Sequence, residues 1–192
     1  MIETGFHEQP LGRCRLPQIL SPIVAGAAFM FFAIDANAAT VVKTFSGWTL
    51  YSEAAQQQIC FLASPPTETQ PAGLKRDPAL LYVSAWPKEG VRSEVSVKLG
   101  FPVRKATEPT VSVTGPGVSG PGNAAPPSFR MFVKDDRAFV TDATQELKLL
   151  EAMKKGTRLV VQATSERGTV VTDTFSLAGV SAGLQALAGG CQ

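Results

Sequence analysis

Between Val91 and Phe101 the chain places Val91, Val95, Val97, Leu99 and Phe101 at even spacing, with Arg92, Glu94, Ser96 and Lys98 between them. Side chains alternate across a strand, so this period predicts a strand with one buried and one solvated face. That division belongs to antiparallel sheets, which can meet water on one side. The charged side is read as the solvated one.

Other segments agree with a chain of short strands. Val41 to Glu53 mixes β-branched and aromatic residues and predicts one strand with Gly47 as a bulge or close-approach point, and Ile59 to Ala63 reads as its partner. Ser64 to Pro78 is rich in proline and threonine and reads as a long surface loop. Leu80 to Trp86 and Thr110 to Thr114 are further strands. Phe129 to Val133 and Arg137 to Val140 form a hairpin turning at Asp135-Asp136, and Thr157 to Thr164 pairs with Thr169 to Leu177 across Ser165 to Gly168.

Only two helices interrupt this pattern. Asp142 followed by Gln145 makes a capping box, Leu147, Leu150 and Met153 are spaced for one helical face, and Lys154-Lys155-Gly156 ends the helix. Val180 to Leu187 is a second, shorter amphipathic piece. So many strands and so little helix predict a mainly β, antiparallel sandwich or barrel.

The amino-terminal segment adds an address. Arg13 and Arg15 precede an apolar run from Ile19 to Ile34, and Ala36-Asn37-Ala38-Ala39 follows. Positive, apolar, then small-x-small is the order of a secretory signal, here residues 1–38. The run counts about 16 residues and holds Pro22, short of the roughly 20 that a spanning helix needs. Removing 38 of 192 residues leaves 154, enough for one domain over 39–192. Of 18 basic and 16 acidic residues, Arg13, Arg15, Glu3, Glu8 and Asp35 leave with the signal, so the remainder carries +3. So small an excess predicts no nucleic-acid partner.

Cleavage also removes Cys14 and His7, the chain's one histidine. Cys60 and Cys191 remain as an even pair in an oxidising compartment, where a disulfide is expected. Closing so long a loop stabilises a fold by about 5 kcal/mol in the chain-entropy estimate. Without histidine there is no Ser-His-Asp triad, Cys-His dyad or histidine metal site. No S-x-x-K or C-x-x-C occurs either, so no catalytic residue, metal or cofactor is expected.

Gly115, Gly117 and Gly120 spell G-x-G-x-x-G, but Pro116, Pro121, Pro126 and Pro127 deny the helix that dinucleotide binding requires. Asp135, Asp136, Asp142, Glu146 and Glu151 are candidates for paired carboxylate chemistry in an envelope hydrolase, although the turn and the helix cap already account for three. Lys154, Lys155, Arg158 and Arg167 are the candidate interaction surface for an anionic lipid or acidic polymer, a peripheral contact with the membrane. Their alternative role is to complement the helix dipole and to solvate turns.

S-G-W-T-L at Ser46, I-C-F-L-A-S at Ile59 and S-E-V-S-V-K-L-G-F-P at Ser93 follow one another in an order that resembles the invasion-associated locus B family, small secreted proteins of alphaproteobacteria. The resemblance is most specific in the tail, from M-K-K-G-T-R-L-V-V-Q-A-T-S-E-R-G-T at Met153 through D-T-F-S-L-A-G-V at Asp173 to Cys191. It implies an immunoglobulin-like β-sandwich in the periplasm or envelope, outer-membrane associated or secreted, closed by the Cys60–Cys191 pair. It also implies contact with a protein or envelope component and a role in host-cell invasion or adhesion, and it carries over no catalytic residue. The alternative expectation is a periplasmic small-ligand-binding or chaperone-like module, which a concave apolar pocket would favour.

Overall fold

Among the described residues, eleven strands and two α-helices organise the chain, and the strand pairs are antiparallel. The computed structural model describes residues 39–53, 59–118 and 125–190. The expected signal over 1–38, Gly120 of the glycine motif and Cys191 lie outside the described residues.

Strands β1 (Thr40–Phe45), β2 (Trp48–Glu53), β3 (Ile59–Ser64), β5 (Leu80–Trp86) and β6 (Val91–Lys98) lie side by side. They are followed by β9 (Arg137–Val140) and β8 (Ser128–Lys134), then by β7 (Thr110–Thr114), β10 (Arg158–Thr164), β11 (Val170–Ser176) and β4 (Glu68–Gln70). Strand β8 turns the corner between the two halves. Its first part, Ser128 to Arg130, pairs with β7, while Met131 to Lys134 pairs with β9.

Alternation brings the inward residues of both halves into one hydrophobic cluster. Trp48, Leu50, Leu62, Leu81, Val83, Val95 and Val97 come from one side, and Val111, Val113, Leu159, Val161, Val171 and Phe175 from the other. Trp48 is fully buried, and its indole Nε1–H donates to the Ser176 carbonyl at 2.9 Å, tying β2 to the end of β11. That bond supplies the partner a buried indole needs.

Helix α2 (Val180–Ala188) packs on β2 and β3. It starts at Gly179, where φ is +90° and a Cβ would lie 2.2 Å from the Phe45 carbonyl oxygen, so only glycine fits there. Helix α1 (Ala143–Lys155) begins as expected, with Asp142 accepting from the Gln145 N–H at 2.9 Å.

The structure corrects several expectations. Val41 to Glu53 is two strands, because Ser46 at φ +53° and Gly47 turn the chain back. The bulge lies between Val41 and Lys43 instead. The loop over Ser64 to Pro78 contains β4, a three-residue edge strand too short to show a period. Leu147 does not share the buried face of α1. It is 63% exposed, and Leu149, Leu150 and Met153 are buried. At about 100° per residue those three surround Glu146, which faces the sheet and leaves Leu147 outside. Strands β2, β3, β5 and β6 are neighbours, and between β3 and β5 the chain leaves this run to pair β4 with β11.

Candidate functional site

The four expected surface cations do not form one patch. Lys154 and Lys155 end α1, and Arg158 opens β10, but Arg167 sits in the turn at the other end of that strand. A seven-residue strand separates its ends by roughly 20 Å. Lys154 is already engaged, its Nζ 2.7 Å from Glu151 Oε1. That contact holds the Glu151 carboxyl below the usual range. Lys155 borders a shallow depression with Val118 and Leu147.

Arg167 instead borders a cleft of about 420 Å³ that it shares with Lys75, Arg76, Phe101, Pro102 and Glu166. Three loops build this cleft, and backbone bonds fix them together. Glu166 N–H donates to the Pro102 carbonyl at 2.8 Å, Arg104 N–H to that of Thr164 at 2.9 Å, and Asp77 N–H to that of Gly100 at 3.1 Å. Gly100 is obligatory, since φ is +74° and a Cβ would meet the Asp77 carbonyl oxygen at 2.1 Å.

Beneath the cleft lies a buried ion pair that sequence reasoning missed. The Arg76 and Asp173 side chains are only 7% and 2% exposed. Arg76 Nη1 donates to Asp173 Oδ2 at 2.8 Å and to the Leu99 carbonyl at 2.7 Å, and Nη2 donates to Asp173 Oδ1 and to Thr69 Oγ1. Thr69 Oγ1 also donates to Asp173 Oδ1, at 2.6 Å. The signal was present in the sequence. Asp173 falls between Val171 and Phe175 at period two, on the inward face of β11. Its partner lies 97 residues away, which no local pattern reveals.

The outward face of β2, β3, β5, β9 and β8 carries aromatic residues. Tyr51 stacks on Phe61 with ring centroids 5.1 Å apart, Phe61 meets Tyr82 edge-on at 5.9 Å, and Phe139 stacks on Phe132 at 5.4 Å. The Arg137 guanidinium carbon lies 4.8 Å from the Tyr82 ring centroid, and Phe132 is 48% exposed. The face expected to be solvated is therefore partly covered, and Ser96 in its middle is 1% exposed.

Two carboxylates border this face. Burial pushes the Glu94 carboxyl up, against the opposing pull of Arg137. Burial also raises Glu146, opposed by a bond from the Val95 N–H and reinforced by the charge of Glu94. Glu146 Oε1 accepts that N–H at 2.6 Å, beyond the point where β9 ceases to pair with β6. The remaining candidate carboxylates have structural duties, with Asp136 3.8 Å from Lys98, Asp142 capping α1 and Asp135 in the hairpin turn at φ +58°. Gly115 and Gly117 lie in a turn after β7.

The sequence model of the invasion associated locus B protein family matches residues 48–188. The chain belongs to the invasion associated locus B family. The crystal structure of invasion associated protein B from Bartonella henselae superposes with a TM-score of 0.50 at 14% identity, covering 77% of this chain and 96% of that one. At that identity the likeness is one of fold. No curated protein matches the chain. The matched span contains both Arg76 and Asp173, every aromatic residue of the outward face, and the whole cleft.

Proposed function

We propose that this protein is an exported, non-enzymatic component of the bacterial envelope that acts through contacts with protein partners, and that it contributes to host-cell adhesion or invasion. The observation that carries the reading is the aromatic face with Arg137 above Tyr82, because tyrosine and arginine dominate the energetics of protein interfaces. The packed core supports it too: Leu62, Leu81, Val95 and Val97 are fully buried in one hydrophobic cluster. Family membership supports the invasion-related role.

Residues 1–38 act as the secretory signal in this reading, and Cys60 is joined to Cys191. Cys60 is fully buried on β3, and α2, which packs on that strand, leads through Gly189 and Gly190 to Cys191. The periplasm or outer envelope is the matching location, since it permits that bond.

A deletion strain complemented with tagged wild-type protein or with a Tyr51→Ser, Phe132→Ser variant tests both parts. Fractionation and intact mass should find an oxidised species beginning near Ala39 in the envelope for both proteins, and host-cell association should fall for the variant alone. Equal association would remove the aromatic face from the function. A reduced, full-length cytoplasmic protein would overturn the export.

A further inference from the structure

The cleft beside the β10–β11 turn lies apart from the aromatic face and has a different chemistry. We propose that it binds a small amphiphilic anion, a carboxylate or phosphate monoester carrying an apolar body, between Lys75 and Arg167. The lining holds three cations, Lys75, Arg76 and Arg167, against one carboxylate, Glu166. Asp173 neutralises Arg76 from below and Glu166 offsets one further cation, so the lining keeps a net positive charge carried by Lys75 and Arg167. A fourth cation stands close by, because a Cβ built on Gly168 would lie 3.5 Å from Arg104 Nη1.

Arg76 is not itself free to take the ligand. Its four Nη bonds to Asp173, Thr69 and the Leu99 carbonyl fix it in place. It acts as a fixed dipole with Asp173 and as a structural floor, and its guanidinium carbon lies 5.7 Å from the Phe101 ring centroid. A buried ion pair is often no more stabilising than apolar residues of the same volume, so its presence directly under a cleft is informative. Phe101, Pro102 and Leu74 supply apolar wall for the body of the ligand. Cations set against low-dielectric walls concentrate an attractive field for anions.

Size decides the class of ligand. About 420 Å³ falls within the range of small-molecule pockets, roughly 300–1,000 Å³, and is too little for a folded partner. The backbone bonds between Glu166 and Pro102, Arg104 and Thr164, and Asp77 and Gly100 hold the three loops before a ligand arrives. Binding then costs little backbone ordering entropy, and what remains is the ordering of the exposed Lys75 and Arg167 side chains.

The test titrates the purified protein with phenyl phosphate and, separately, phenylacetate, following backbone amide shifts by NMR and heat by calorimetry. Inorganic phosphate and phenol serve as the two halves of the first probe. Saturable shifts centred on Gly100 to Val103 and Ser165 to Thr169 are expected with phenyl phosphate or phenylacetate, which identifies the head group. That probe should bind at least about tenfold more tightly than inorganic phosphate or phenol, and more weakly as salt rises. A Lys75→Gln, Arg167→Gln variant should keep the wild-type melting temperature and lose about tenfold or more in affinity. A Lys154→Gln, Lys155→Gln variant should bind like the wild type. Absence of saturable cleft shifts with both probes at about 10 mM overturns the proposal, as does unchanged affinity in the Lys75, Arg167 variant. Inorganic phosphate binding as tightly as phenyl phosphate overturns the amphiphilic part.

Discussion

Replacing Asp173 by alanine should be among the most damaging single changes in this protein. It deletes both oxygens that hold the Arg76 guanidinium, one of which, Oδ1, also accepts from Thr69, while Arg76 keeps the Leu99 carbonyl and Thr69 Oγ1 and stays buried. Removing one member of a buried pair typically costs about 3–5 kcal/mol, because the survivor is left charged and under-bonded. With a urea m-value of about 1.5 kcal/mol/M, that loss moves the midpoint down by roughly 2–3 M. The Arg76→Met, Asp173→Leu double variant removes both charges and keeps the volume apolar, so it should cost under about 2 kcal/mol. Equilibrium urea unfolding of the oxidised protein at neutral pH, for Arg76→Met, Asp173→Leu and the double, closes the cycle, with Asp173→Ala measured beside it. A single variant that loses less than about 1 kcal/mol, or a double variant as unstable as Asp173→Ala, would refute the reasoning.

Three further predictions rest on other parts of the fold. Gly100→Ala should destabilise by more than about 1 kcal/mol in thermal unfolding, since it combines a positive φ with a Cβ placed 2.1 Å from the Asp77 carbonyl oxygen. Leu149→Ala should cost about 2–5 kcal/mol and Leu147→Ala within about 0.5 kcal/mol, and reversal of that order in denaturant titrations would overturn the face assigned to α1. Glu94 and Glu146 both hold their protons more tightly in the fold than unfolded, so the folded state binds more protons in the window from the ordinary carboxylate value up to their raised values. Their contribution to stability therefore grows as pH falls through that window and is lost as pH rises out of it. Glu146→Gln, which keeps an acceptor for the Val95 N–H without the charge, should flatten that dependence. An unchanged pH profile of melting temperature would contradict the assignment.

Local features carried much of this fold. The two-residue period of Val91 to Phe101, the Asp135-Asp136 hairpin and the Asp142 cap depend on neighbours within a few positions, and each appears where the residues placed it. Strand β4 and the break at Ser46 were harder, because a three-residue edge strand has no period and a non-glycine turn residue at positive φ looks ordinary in sequence. Leu147 was misplaced for a different reason. Its spacing fits a helical face, and only the reach of Glu146 to Val95 fixes which face turns inward.

The candidate sites show the same division. The residues alone established that no histidine follows His7 and that Cys60 and Cys191 remain beyond the expected signal, and the ordered motifs carried the resemblance to the family along nearly all of that length. The basic residues, by contrast, were visible individually but not in their grouping. Arg167 joins Lys75 and Arg76 rather than Lys154, Lys155 and Arg158, because β10 carries it to the far end of the sheet. Asp173 finds Arg76 only when segments distant in sequence come together, and Tyr51, Phe61 and Tyr82 find one another only through the register of β2, β3 and β5. Period and chemistry are properties of neighbouring residues and can be read along the chain, whereas a cleft or a buried ion pair is a property of long-range register, which exists only once the core has closed.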